Sequence, residues 1–342
     1  MVRPPALAHV LGLIALVTSP AHAGEAAPAA GGPALGQGDG CADVALRTPV
    51  PPADPGPREA GVGLRGLERH GGTTAALTSD GRIYVATRDT ERFVPAPDDG
   101  GAWRALTVAT DGVPVVISTR GHVFVLESAG PRRLACEVPR SSRPVALPGS
   151  PDVLLGAENG SVRRLVRGEA SPRLIDVVER GDEPVGAFAA SPTRVVYARL
   201  DGAIVSIGLD GRESTVIARP SRDVRAIRFV GERAFAAIGP ELVAFDEPAK
   251  APVAPRPSDG SPDVEALAAS PDGAFLALLV GGEVDVRRSS GGTGVRTDGL
   301  RLRKPTSIAW SDGGDVVLVA TARDARPWRV GVDRGGASPP TR

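Results

Sequence analysis

Residues 264–288 read VEALAASPDGAFLALLVGGEVDVRR, three short apolar runs broken by turn residues. The first two runs are separated by Ser270-Pro271-Asp272-Gly273 and the last two by Gly281-Gly282. Runs this short, with tight turn chemistry between them, predict neighbouring antiparallel strands. Weaker versions of the same pattern recur from residue 61 onward. Aligning first strands on their turns places unit starts near Val62, Trp103, Arg143, Pro184, Val224, Val264 and Pro305, a repeat of 40 or 41 residues. A helix-pair array can share that period. It would need amphipathic runs of ten or more residues, and the Gly- and Pro-rich turns inside each unit interrupt any such run.

The third strand of each unit checks the register. Its first inward position is Ile83, Val123, Val162, Ile204, Leu242, Val284 or Trp328, apolar every time, and the residue before it is mostly polar. This is the period-two alternation of a strand. The turns before it, Asp80-Gly81, Arg120-Gly121, Asn159-Gly160, Asp201-Gly202 and Gly281-Gly282, suit two-residue hairpins in which both central residues take positive φ.

Each unit is thus expected to be a four-stranded antiparallel meander. In unit 4 its strands fall at 185–190, 194–199, 203–208 and 213–219. One such sheet cannot bury both faces alone, whereas seven packed around an axis can, so the expected fold is all-β, a seven-bladed β-propeller spanning residues 41–336. Unit 7 runs out after its third strand. Residues 43–48, DVALRT, lie outside the register and are expected to supply its fourth strand, covering an open edge.

The segment 263–288 resembles the WD40 family and its exported bacterial relatives of the TolB and YVTN types. The shared features are an apolar first strand ending in Ser-Pro-Asp-Gly, an apolar second strand and a hairpin into the third. Fainter copies stand at Ser150-Pro151-Asp152, Ser191-Pro192 and Ser311-Asp312-Gly313-Gly314. The resemblance implies the propeller architecture and says little about ligands. Arg287-Arg288 replaces the family's Trp-Asp dipeptide and no unit carries its Gly-His pair. The buried Ser/Thr-His-Asp-Trp tetrad is therefore expected to be missing.

The N-terminus adds an address. Arg3 precedes a short apolar stretch at 6–17, and Ala21-His22-Ala23 fits a small-x-small cleavage pattern, so 1–23 read as a signal peptide. The stretch is shorter than the about 20 residues a bilayer span needs. A mature chain starting near Gly24 is expected in the periplasm or outside the cell, with a flexible Ala/Gly/Pro leader at 24–40 and a short tail at 337–342.

Composition narrows the chemistry. Acidic and basic residues balance at 40 each, so no overall field steers the chain to nucleic acid or an anionic membrane. Residues 61–66 match G-x-G-x-x-G but follow Pro-rich chain and precede a strand, where a dinucleotide site needs a strand before and a helix after. Small glycines packed near the axis account for them. Asp80, Asp111, Asp201, Asp272 and Asp312 stand in turns, as Asp does when it bonds its own backbone. Asp98-Asp99-Gly100 is too sparse for a calcium loop. His70, assigned to an a–b turn, and His122, in the polar column of unit 2, are too dispersed for a zinc site. No metal or cofactor is expected. The few aromatics, with one Asn and one Gln beyond the signal peptide, make a glycan ligand a poor match.

Cys41 and Cys136, the two cysteines, could pair in an oxidising compartment. Blade 1 lies between their expected positions, so the leader would have to reach across it.

The expected function is a monomeric, non-enzymatic scaffold for a protein or peptide. Its binding rim would gather the d–a loops, with Arg140, Arg143, Arg180, Asp182, Arg222, Asp259 and Arg303 as candidate contacts. The alternative is a hydrolase or lyase with its site at the central channel mouth, since Glu265 and Arg225 lie on first strands. Its signature would be a pocket lined by carboxylates with shifted pKa values.

Overall fold

A computed structural model describes residues 62–334, apart from 98, 141, 168–171, 180, 182, 246–261, 292–293, 296 and 298–301. Seven antiparallel sheets follow one another along the chain. Blade 1 holds β1 (Leu64–His70), β2 (Thr73–Thr78), β3 (Ile83–Ala86) and β4 (Glu91–Val94). Blade 2 holds β5 (Trp103–Val108), β6 (Pro114–Ser118), β7 (His122–Glu127) and β8 (Gly130–Glu137). Blade 3 is β9 (Arg143–Ala146), β10 (Val153–Gly156), β11 (Val162–Val166) and β12 (Arg173–Val178). Blade 4 is β13 (Val185–Ala190), β14 (Arg194–Arg199), β15 (Ile204–Gly208) and β16 (Thr215–Ala218). Blade 5 has β17 (Val224–Val230), β18 (Arg233–Ile238) and β19 (Glu241–Phe245). Blade 6 has β20 (Val264–Ala269), β21 (Phe275–Val280), β22 (Glu283–Arg288) and β23 (Gly294–Val295). Blade 7 has β24 (Pro305–Trp310), β25 (Val316–Thr321) and β26 (Trp328–Gly331).

The first strand of every blade is innermost, and these strands pack in sequence from β1 through β5, β9, β13, β17, β20 and β24 back to β1. That circuit is a closed seven-bladed propeller. The sequence register holds: β5, β9, β17, β20 and β24 begin at the expected residues, while β1 and β13 start two residues and one residue later.

The apolar interior is divided among the blade interfaces. One cluster joins blades 5 and 6 through Phe235, Ala237, Leu276 and Leu278. The next joins blades 6 and 7 through Ala277, Leu279, Val317 and Val319. Alternate residues of β21 thus enter opposite interfaces, as alternate side chains of a strand must. Both sides being covered, second strands read as unbroken apolar runs such as FLALLV, not as apolar/polar alternation. Burying a residue such as Leu278 contributes about 1.5–3 kcal/mol. The cluster of Leu64, Leu67, Ala76, Ala309, Leu318 and Ala320 joins blades 7 and 1 and seals the ring.

Three expectations change. In the turns ending at Gly81, Gly121, Gly160 and Gly202 only the glycine has positive φ, and its N–H bonds the carbonyl three residues back. These are type I turns closed by a left-handed glycine, which lets a longer loop keep the strand twist without a second positive φ. The two-residue form with both residues at positive φ occurs at Gly281-Gly282. Second, Trp328 is 44% exposed, not inward, because its indole N–H leans out to Asp324 Oδ2 at 2.8 Å. Third, a fourth strand is described in blades 1, 2, 3, 4 and 6. The closing strand expected at 43–48, the signal peptide and the leader lie outside the described residues, as does 246–261, which follows β19.

Two of the fingerprint-like glycines have local reasons, close packing at Gly63 and backbone conformation at Gly66. A Cβ on Gly63 would stand 2.1 Å from the Ala322 backbone, and Gly66 takes φ +65°. Neither is followed by a helix, so the dinucleotide reading falls on geometry.

Candidate functional site

Within six innermost strands the ladder slips where two residues oppose one: at Arg65-Gly66, Arg104-Ala105, Gly186-Ala187, Arg225-Ala226, Glu265-Ala266 and Thr306-Ser307. Such a bulge resets the alternation of side chains. It explains how Leu64 and Leu67, three apart, are both buried. The two residues between them are left to the axis. Blade 3 pairs regularly, with Arg143 alone opposite Gly156 where the bulged blades set two residues against one.

The small bulge residues and the arginines before them line a channel cavity of about 470 Å³. Each innermost strand begins at its d–a loop, so the first bulge residue sits near that end of the channel. Arginine occupies it in blades 1, 2, 3 and 5, as Arg65, Arg104, Arg143 and Arg225, all exposed. Arg104, Arg143 and Arg225 line the cavity, as does Glu265. Their acidic neighbours are loose. Arg104 is 3.9 Å from Glu158, whose side chain is 71% exposed. Arg225 is 4.0 Å from Asp223, which is 87% exposed. Arg143 has no ion-pair partner among the described residues.

Three positions deeper, two longer side chains cross the lumen. Glu68 Oε1 and Arg228 Nη2 approach to 3.6 Å. The same register position elsewhere holds Thr107, Val145, Ala189, Ala268 and Ala309. The Glu68 side chain keeps 40% exposure to the lumen, yet enclosure by the surrounding strands pushes its carboxyl above the usual carboxylate range, and the charges of Arg228 and His70 only partly offset this.

Of the rim residues expected from sequence, Arg143 begins β9 and lines the channel, while Arg140, Arg222 and Arg303 are exposed. Arg222 also lines a smaller recess of about 300 Å³ with Arg225 and Asp263. Arg180, Asp182 and Asp259 lie outside the described residues, so the structure does not extend the rim to them. Cys136 is on the outer strand β8 as expected, and Cys41 is not described, which leaves the disulfide open. Arg65 and Arg104 went unread in the sequence. Their signal was an arginine recurring beside the unit start, but only the bulge turns that position inward.

The turn aspartates cap loops, as expected, and also tie blades together. Asp312 accepts from Arg69 of blade 1 at 2.9 Å, Asp111 from Arg167 of blade 3 at 3.2 Å, and Asp272 from Arg334 at 2.7 Å.

Two polar clusters were not foreseen. In blade 2, Asp99 Oδ2 accepts from Ser118 Oγ at 2.8 Å and lies 2.6 Å from His122 Nδ1. The Asp99 side chain is only 2% exposed. Burial alone would raise its pKa, but hydrogen bonds from Ser118, His122 and the Gly101 amide pull it below the usual range. The carboxylate is the hub here. A nucleophilic relay needs the imidazole between acid and serine, so this cluster is a loop clamp. In blade 7, Asp324 Oδ2 accepts from Thr321 Oγ1 at 2.6 Å and from Trp328 Nε1. The complete tetrad is absent from the described residues, yet fragments of it form.

Among the described residues no three His, Cys, Asp or Glu side chains gather as a metal site, and no helix is long and apolar enough to cross a membrane. No protein-family model matches the sequence, and no curated protein matches it. Among solved structures, the chain is similar to the WD40 repeats of RRP9, with a TM-score of 0.64 at 13% identity over 81% of this chain and 96% of that one. At that identity the likeness is one of fold, and it agrees with the seven-bladed ring traced above.

Proposed function

We propose that this chain is an exported, non-enzymatic propeller that acts as a scaffold for a protein or peptide partner at the d–a end of its ring. The observation that carries the reading is the channel mouth. Three bulges and the regular strand β9 hold four arginines there, all exposed, and the exposed loop residues Arg140, Arg222 and Arg303 stand at the same end. Exposed polar groups carried by loops and strand ends on a rigid frame are how such folds present binding surfaces. The WD40-type architecture is in keeping with a protein partner.

One observation favours the rival, a hydrolase or lyase: Glu68 lies in the channel with a raised pKa. Its link to Arg228 favours the scaffold, because a carboxylate tied across the lumen is braced and not poised for proton transfer.

Affinity capture from the native envelope fraction tests the scaffold. Wild type should recover a discrete set of proteins that Arg140→Glu/Arg303→Glu loses. Identical recovery by both would remove the outer rim as the contact surface. Export is tested separately: mass spectrometry of the extracytoplasmic protein should find an N-terminus near Gly24.

A further inference from the structure

We infer that the channel mouth is an anion site that takes the carboxylate side chains of an acidic peptide segment, held by Arg104, Arg143 and Arg225. The inference deepens the scaffold reading and rests on it.

The three arginines come from three blades and line one cavity. Among the described residues no tight acid neutralises them: the two nearest pairs are 3.9 and 4.0 Å long to highly exposed partners. Deeper in the lumen the charge is spent, because Glu68 and Arg228 are matched to each other. The unmatched positive charge is therefore confined to the end open to a ligand. Glu265 is the one acid at the same register position, so the mouth keeps a positive excess.

The chain as a whole has no net charge, so this excess is local and not part of a general basic surface. A cleft lined by one sign of charge focuses its field and concentrates ligands of the opposite sign. Guanidinium is also the side chain whose planar fork matches a carboxylate through two parallel hydrogen bonds. The volume, about 470 Å³, suits one or two side chains of an extended segment, far less than a folded domain.

Arg65 occupies the same register position on β1 and is exposed beside the cavity. Arginine at this position in four blades of seven is not something the bulge requires, because Gly186 and Thr306 fill it equally well.

The test is fluorescence anisotropy of a labelled hexaglutamate peptide titrated with the full chain at low and moderate salt. Saturable binding that weakens with salt is expected. It should weaken about tenfold or more in Arg104→Gln/Arg143→Gln/Arg225→Gln, each lost contact being a charge-assisted one. Glu265→Gln, which removes the opposing charge, should tighten binding a few-fold and keeps the test usable if the triple variant misfolds. Absence of binding to wild type, or equal binding by the folded triple variant, overturns the inference. So does efficient competition by inorganic phosphate, which would make a free oxyanion the occupant. If hexaglutamate binding is lost instead in Arg140→Glu/Arg303→Glu, the channel site falls and the scaffold reading stands. If the channel binds hexaglutamate but no protein is captured, the scaffold reading fails and the anion site remains.

Discussion

Glu68 and Arg228 meet at 3.6 Å although their strands are not neighbours in the ring. β1 packs on β24 and β5, and β17 on β13 and β20. The pair can meet only by reaching across the lumen from opposite sides. It braces the channel where small side chains would otherwise leave it open.

Because enclosure by the surrounding strands raises the Glu68 pKa, the folded state holds its proton more firmly than the unfolded chain does. Its contribution to stability is full below the ordinary glutamate pKa and is lost as pH rises through the raised value. Glu68→Gln, a mimic of the protonated form, should match wild type near pH 4 and melt higher at pH 7. Thermal melts across that range would show it. A gap between the two proteins that does not change with pH would contradict the assignment.

Asp99 has the opposite sign. Its pKa is held below the ordinary aspartate value of 3.8, so its contribution is present above that value and lost as pH falls through the depressed one. Asp99→Asn should cost about 1–3 kcal/mol at pH 7, the usual penalty for a buried hydrogen-bonded group left mismatched. The deficit should shrink under acid. Urea denaturation at pH 7 and pH 3 measures both points.

Gly63 stands where a Cβ would overlap the Ala322 backbone, and backbone cannot swing aside as a flexible side chain can. Gly63→Ala should destabilise by about 1–3 kcal/mol or more through overpacking between blades 1 and 7. Gly149→Ala is a fair comparison, since its φ of +75° carries conformational strain but nothing stands within 4 Å of the added carbon. If the two variants lose the same stability, the close approach is not what selects glycine at 63.

Blade 7 ends, among the described residues, at β26 with Trp328 on its outer side 44% exposed. We propose residues 43–48 as its fourth strand. Deleting 41–50 should then lower the melting temperature by several degrees and shift the Trp328 emission relative to the full chain. Unchanged melting of the truncated protein would place the closure elsewhere.

The repeat, the strand order and the start of most blades could be read from the sequence, because turn glycines and apolar runs are local properties with fixed spacing. Arg143 was found the same way, as a residue in a d–a segment. Arg65 and Arg104 were hidden, since their orientation depends on a bulge, and a bulge is set by how one strand pairs with the next. The Asp99 clamp was hidden for a related reason. Asp99 and His122 are 23 residues apart, and the hairpin between them brings the two together.

The sequence by itself determined the number of blades and the alternating burial of their strands, which follow from the period of the apolar positions. The tertiary structure alone decided which side chains share the channel. Seven strands from distant parts of the chain converge on one axis, so Arg104, Arg143 and Arg225 come to line one cavity, and Glu68 finds Arg228, only once the ring has closed.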